Sequence, residues 1–317
     1  MKILVTGGAG CIGSDLAQRL LLQGHSVTVV DDLSSGKLEH IAPLLPNPRF
    51  RFIEADLVDP GTTQSAMPGI DFVHHLAANP DVKYSPGDPT DKDLRQNILV
   101  TYNVLEAMRR AGVKPLAFSS TSAVYGIAER LPIPETDPML PISLYGATKM
   151  GCEGLISAFQ NLFGMRCWIF RFANIVGPKV RKRGRTVISD FIHRLQQDSG
   201  KLLILGNGKQ AKSYLTAAEC VDAMLFAIER AAGDLHVFNL GCDDSLTVDR
   251  IAELVIEAMG LPGVKLEYTG TEGGWPGDVP RFKLDVTRIN RLGWKAKMTS
   301  EQAVNTAIEA LVPLCRP

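Results

Sequence analysis

The stretch Lys2-Ile3-Leu4-Val5-Thr6-Gly7-Gly8-Ala9-Gly10-Cys11-Ile12-Gly13 decides how the rest of the chain is read. A short β-branched run passes directly into glycines, and the glycines open a helix-compatible segment, Cys11–Gln23. The spacing fits GxGxxG at Gly8, Gly10 and Gly13, and GxxGxxG at Gly7, Gly10 and Gly13. Glycines at such a junction let the backbone turn sharply and approach a pyrophosphate, which then rests at the positive helix end. The next β-branched run, Ser26–Asp31, ends on a carboxylate 18 residues after Gly13. A carboxylate there accepts hydrogen bonds from adenosine ribose hydroxyls and repels a 2′-phosphate. The pattern predicts a dinucleotide site suited to NAD rather than NADP; the competing reading is a glycine-rich turn with no ligand.

The same rhythm continues outward. Arg49–Glu54, Asp71–His75, Lys114–Ser119 and Arg166–Arg171 read as strands, with helices between them, the clearest over Asp88–Ala111 and Tyr145–Phe163. Alternation of this kind predicts a doubly wound α/β fold of Rossmann type, a parallel sheet covered on both faces. After Arg171 the pattern changes. Gly177–Arg185 is a loop rich in Pro, Gly and basic residues, Val187–Gln197 is helical, and Leu202–Leu205 is a short strand before the turn Gly206-Asn207-Gly208. Glu219–Ala231 and His236–Leu240 read as a helix and strand returning to the sheet. Helices follow near Thr247–Met259 and Ser300–Leu311, with a turn at Gly273–Gly277. We therefore expect a dinucleotide-binding domain over 1–172 with a return segment 216–242. A smaller α/β substrate lobe is expected from 173–215 and 243–317.

Composition narrows the function class. The 317 residues carry 34 Lys plus Arg and 34 Asp plus Glu, so the chain lacks the basic excess of a general nucleic-acid or membrane-surface binder. No apolar run approaches the ~20 residues needed to cross a bilayer. The apolar start stops at Gly7 and reads as a buried first strand rather than a signal peptide. Six scattered cysteines, Cys11, Cys152, Cys167, Cys220, Cys242 and Cys315, form no CxxC pair and suit a reducing cytoplasm. The histidines show no metal-ligand spacing, and His74-His75 reads as structural.

Tyr145-Gly146-Ala147-Thr148-Lys149 places a phenol and an ammonium four residues apart, on one face of a helix. A free tyrosine titrates near pH ~10; a neighbouring ammonium and a nicotinamide ring both favour the phenolate. A YxxxK pair alone is common on helix surfaces. Its company is Phe118-Ser119-Ser120-Thr121-Ser122-Ala123-Val124-Tyr125-Gly126, directly after a predicted strand, where strand ends face the ligand crevice. Thr121 is placed to hydrogen-bond a substrate hydroxyl and relay its proton; turn chemistry is the competing use of such a hydroxyl run.

These motifs, with Asp31-Asp32-Leu33-Ser34-Ser35, Asp56-Leu57, His75-Leu76-Ala77-Ala78, Asn97, Arg171–Pro178 and Gly277-Asp278, make the chain resemble the extended short-chain dehydrogenase/reductase family over nearly its whole length. Within it the resemblance is to the NAD-dependent nucleotide-sugar 4-epimerases. The resemblance implies that Gly7, Gly10, Cys11, Ile12 and Gly13 cradle the pyrophosphate, while Asp31, Asp32, Leu33, Ser34 and Ser35 surround the adenosine ribose. Asp56 and Leu57 would flank the adenine, Leu76, Ala77 and Ala78 would line the cofactor channel, and Ser119 and Phe172 would also meet the cofactor. Lys149 would hold the nicotinamide ribose with support from Asn97. Tyr145 and Thr121 would take the proton of the sugar 4-hydroxyl. Ser122, Asn174, Val187, Gly206, Lys212 and Asp278 would hold a UDP-sugar, and a homodimer through the helices near Asp88–Ala111 and Tyr145–Phe163 is implied.

Several rivals stay open at this stage. A 4,6-dehydratase of this family places Asp-Glu after the catalytic Thr, where this chain has Ser122-Ala123. A one-way reductase using NADPH conflicts with Asp31, and a non-catalytic dinucleotide sensor often loses the Tyr or Lys kept here. In relatives the position of Phe282 lines the space around the sugar 2-substituent, so the resemblance implies UDP-glucose and UDP-galactose over N-acetylated sugars, with a core position the competing reading, whereas Thr121-Ser122 resembles the uronate 4-epimerases. Relatives carry an arginine just before the Gly-Asp pair; this chain has Gly274-Trp275-Pro276-Gly277-Asp278. A diphosphate clamp is then expected from Lys212 or from the basic loop Lys179, Arg181, Lys182, Arg183 and Arg185, which otherwise reads as a solvated face.

Overall fold

Strands and helices alternate from the first residues, as the hydrophobic pattern requires. The computed structural model describes residues 1–83, 87–179 and 186–314; the readings at Arg181, Lys182, Arg183, Arg185 and Cys315 lie outside the described residues. In chain order, the first half is β1 (Lys2–Thr6), α1 (Cys11–Leu22), β2 (Ser26–Asp31), α2 (Leu38–Ile41), β3 (Phe50–Glu54), α3 (Pro60–Ala66), β4 (Phe72–His75), α4 (Val100–Ala111), β5 (Pro115–Thr121), α5 (Leu144–Phe163) and β6 (Arg166–Phe172). The second half is β7 (Asn174–Val176), α6 (Val187–Gln197), β8 (Lys201–Ile204), β9 (Ala211–Lys212), β10 (Tyr214–Thr216), α7 (Ala217–Arg230), β11 (Leu235–Leu240), β12 (Leu246–Thr247), α8 (Val248–Met259), β13 (Lys265–Tyr268), α9 (Thr287–Leu292) and α10 (Ser300–Leu314).

Seven strands form one parallel sheet in the order β3-β2-β1-β4-β5-β6-β11. The order reverses between β1 and β4, and the crevice at such a switch point lies beyond the carboxyl ends of the strands. Near-continuous apolar runs such as Leu116-Ala117-Phe118 are buried on both faces, which is why these strands lack a polar alternation. Two apolar clusters cover the two faces of the sheet. A third, formed by α6, α8, α10 and the short strands around them, builds the C-terminal region.

Helix ends follow local chemistry. Ser143 caps α5 by accepting the Gly146 N–H at 3.1 Å, and Gly164, at φ +63°, ends it. Thr186, Thr216 and Thr247 cap α6, α7 and α8 in the same way.

Two departures from the sequence expectation bear on the site. The helix expected over Asp88–Ala111 is regular only from Val100 and is preceded by a wide π-helical turn, Leu94–Leu99. The turn carries the buried Asn97, whose amide accepts the Asn79 N–H at 2.9 Å and donates to Asp93 and Thr148. Strand β5 extends two residues beyond Ser119, because Thr121 still pairs with Phe172 of β6.

Candidate active site

The glycine loop sits at the switch point. Gly7 has φ +70°, and a Cβ on it would lie 2.6 Å from the Ala77 nitrogen; one on Gly13 would lie 2.2 Å from the Gly7 carbonyl. Only glycine fits either position. Helix α1 begins at this loop with no side-chain cap, so its first N–H groups are left for an anion. Asp31, at the tip of β2, is buried, and its two oxygens accept the Ala9 and Leu33 N–H groups at 2.9 Å each. Burial raises its pKa, and those two donors oppose the rise. Each oxygen keeps acceptor capacity for a ribose hydroxyl. Leu33 takes φ +58°, while Asp32 accepts both the N–H and the hydroxyl of Ser34. Asp56 turns back onto the Val58 N–H, and Leu57 is buried beside it. Leu76, Ala77 and Ala78 follow β4, where Leu76 donates its N–H to the Thr6 carbonyl and the Ala77 backbone lies against Gly7. A cradle closed to any Cβ, an uncapped helix start and an acid at the β2 tip together suit NAD.

Across the crevice, α5 brings Tyr145 and Lys149 against the end of β5. Lys149 is 1% exposed and donates to the Ser119 carbonyl at 2.7 Å, with its ammonium 4.6 Å from the Phe118 ring. Burial lowers its pKa to about 8, against the opposing charges of Cys152 and Glu153. Tyr145 is half-buried at the cleft. Burial raises its pKa to about 12; a hydrogen bond with Thr121 pulls it down, and the Asp93 carboxylate pushes it up. In the chain by itself burial outweighs the acidification expected from the YxxxK spacing, because the lysine is held on Ser119. The Thr121 oxygen already accepts the Ala123 N–H at 3.1 Å, which leaves its own O–H to donate towards Tyr145.

Asn97 donates to the hydroxyl of Thr148, the residue before Lys149, at 2.9 Å and so orients the turn that carries both site residues. His75 is neutral and structural, bonded to Thr6 and Thr101, with its pKa pushed down to about 3 by burial.

A cleft of about 1270 Å³ runs from this couple to the C-terminal region. It gathers Ile12, Thr121, Ser122, Tyr145, Phe172, Asn174, Val187, Lys212, Asp278 and Phe282 from segments far apart in sequence. Gly206 does not line it: the Gln210 side chain occupies the space a Cβ would need, and the Gly206 N–H goes to Thr269. Lys212 is engaged internally, 2.6 Å from Asp278, with its ammonium 5.3 Å from the Trp275 ring. Lys179, the described part of the basic loop, turns to Ser14 and Asp15 of α1 rather than to the cleft.

The sequence reading missed Asn79, Asp93, Asp190, Arg194, Tyr214 and Trp275 as cleft residues. Trp275 had a signal in the glycine-rich turn around it. The others sit on ordinary helices and loops and carry no local pattern.

A doubly wound sheet with a glycine loop at its switch point, facing a Tyr–Lys couple across a cleft, defines a dinucleotide-dependent enzyme acting at a hydroxyl-bearing carbon. Comparison with known proteins narrows this class. The chain belongs to the NAD dependent epimerase/dehydratase family, whose model matches residues 3–241, and its cofactor is NAD. A UDP-glucose 4-epimerase of Mycolicibacterium smegmatis is 32% identical over 314 residues, spanning 98% of each chain. A crystal structure of a UDP-galactose 4-epimerase superimposes with a TM-score of 0.88 at 38% identity over the whole of both chains. A UDP-glucuronic acid 4-epimerase of Bacillus cereus, solved with UDP-glucuronic acid and NAD, gives 0.89 at 26% identity, covering 99% of this chain and 100% of that one.

Proposed function

We propose that this chain interconverts UDP-glucose and UDP-galactose by inverting the sugar at C4. The observation that carries the reading is the Thr121–Tyr145–Lys149 arrangement at the inner end of a cleft large enough for a nucleotide sugar. When bound, NAD supplies a hydride acceptor and donor for the sugar carbon. Tyr145 takes the proton of the 4-hydroxyl as oxidation begins and returns it when the carbinol is restored. Thr121 bridges substrate and phenol. Lys149, which donates to the Ser119 carbonyl, would hold the nicotinamide ribose, and its charge would favour the Tyr145 phenolate. Asp31 and the glycine loop hold the cofactor throughout, so no net oxidation is needed and NAD stays bound.

Ser122 and Ala123 line the cleft where a dehydratase needs an acid pair, which supports epimerisation over elimination. Phe282, buried and lining the cleft, supports an unsubstituted 2-hydroxyl over an N-acetyl group. UDP-glucuronate is the second reading, favoured by Ser122 beside Thr121. We assign residues 1–172 and 216–242 to cofactor binding, and 173–215 with 243–317 to the nucleotide sugar. The exposed Leu94, Leu99, Tyr102 and Leu162 on and beside α4 and α5 support a homodimer through those helices. The five free cysteines among the described residues support a cytoplasmic setting.

The test is to follow UDP-glucose, UDP-N-acetylglucosamine and UDP-glucuronate by NMR with NAD and no reductant. A 4-epimer of UDP-glucose, reached in the same ratio from either side and lost in Tyr145→Phe, is the expected result. A 4-keto-6-deoxy product would overturn it.

A further inference from the structure

We infer that Glu153 and Arg171, which touch neither cofactor nor substrate in this reading, position the Tyr145–Lys149 helix against strand β5. Three consecutive residues at the end of β5 each hold one residue on a single face of α5. Ser119 accepts the Lys149 ammonium, the Ser120 hydroxyl donates to the Glu153 carboxylate, and Thr121 lies beside Tyr145 and pulls its pKa down. The helix residues are spaced four apart, so they stack on successive turns facing the strand. Two of the three attachments, at Lys149 and Tyr145, involve groups that must bond ligands during the reaction. The Ser120–Glu153 contact is the one attachment in this set free to persist.

Arg171 fixes Glu153 from the next strand, where it sits in register with Ser120. Its Nη2 donates to Glu153 Oε2 at 2.7 Å, and its Nε lies 3.1 and 3.2 Å from the two carboxylate oxygens. Glu153 and Arg171 are 5% and 4% exposed. The remaining guanidinium donor, Nη1, reaches Tyr125 Oη at 2.8 Å and the Glu135 carbonyl at 3.0 Å, while Nη2 also meets Met139. Glu135 and Met139 belong to the segment that leads into Ser143, the cap of α5. One guanidinium thus ties the start of the catalytic helix, its third turn and the sheet into a single unit. Glu153 is also one of the charges that raise the proton affinity of Lys149.

The inference rests on the proposed function only for the choice of substrate, so the test carries a readout that needs none. In Glu153→Gln, kcat with UDP-galactose is expected to fall about 10- to 100-fold, the cost of small misplacement of reacting groups. KM should stay within about twofold and NAD should remain bound, because neither site is touched. The alkaline limb of kcat should move to lower pH, since the charge supporting the Lys149 ammonium is gone. Hydrogen exchange of residues 144–153 should quicken. Ser120→Ala, a small truncation that keeps the ion pair, should quicken the same amides and lower kcat to a lesser degree. A lower Tm with kcat, pH profile and exchange of 144–153 unchanged in both variants would overturn the assignment, as would parallel loss of NAD or of KM. A wild-type chain silent towards UDP-galactose would sink the substrate reading alone, and the exchange readout would still decide the positioning role.

Discussion

The two halves of the proposed site differ in what they offer a ligand. At the proposed dinucleotide end the groups on offer are mostly backbone, a glycine cradle and an uncapped helix start, joined by the Asp31 carboxylate, all within residues 7–31. At the sugar end they come from side chains on β7, α6, β9, the turn at 274–278 and Phe282, brought together from over a hundred residues of chain. A backbone site tolerates almost no change in its glycines but little depends on distant segments. A side-chain site assembled from scattered pieces can be altered one residue at a time, which is how one scaffold serves several sugars.

The largest contrast should come from the loop. Gly13→Ala forces a Cβ to within 2.2 Å of the Gly7 carbonyl, so we expect NAD to be absent from the purified protein and stability to fall by about 3 kcal/mol or more. Retention of NAD, seen by absorbance after denaturation, would break the claim that this end depends on its backbone cradle. Tyr145→Phe should lower kcat about 10²- to 10⁴-fold while NAD stays bound, separating the chemistry from the cradle.

At the sugar end the expected effects are smaller. Lys212→Met should weaken UDP-sugar binding roughly tenfold, whereas Asp278→Asn, which releases the ammonium from its internal partner, should tighten it or leave it unchanged. Calorimetry with UDP measures both, and equal losses would show that the pair acts as structure rather than as a phosphate contact.

The subtlest test is pH. Burial lowers the pKa of Lys149 from an ordinary 10.5 to about 8 in the folded chain, so between those values the unfolded state holds the extra proton. Stability from this group therefore rises as pH climbs from about 8 to 10.5, and its charge is a cost at neutral pH of up to about 3 kcal/mol. Lys149→Met should abolish turnover without lowering Tm at pH 7, and raise it by a few degrees if the cost is realised. His74 and His75 add the same trend at lower pH. Burial holds both near 3, so the unfolded chain gains protons first and stability drains as pH falls from 6.5 towards 3.

The order of strands and helices was legible because each element carries its own period and punctuation. The Thr216 and Thr247 caps, the Gly164 stop and the apolar strands are all local signals. Boundaries slipped where a long-range partner decided them. Thr121 stays in β5 because Phe172 pairs with it, and the helix around Asn97 widens because Asn79, Asp93 and Thr148 claim its amide. Gly206, assigned to the nucleotide sugar on the resemblance, has Gln210 filling the space beside it, a packing detail its turn does not show. The short strands β7, β9, β10, β12 and β13 left little trace, since two to four residues carry almost no periodicity.

By itself the sequence determined the sheet, the cofactor loop, the acid at the tip of β2 and the Tyr–Lys spacing, because each depends on residues a few positions apart. Only the tertiary structure decided that Lys149 waits on Ser119, that Lys212 is held by Asp278, and that Glu153 and Arg171 brace the catalytic helix. Those contacts join strands, helices and turns distant in the chain. Their geometry follows from packing, which no local pattern encodes.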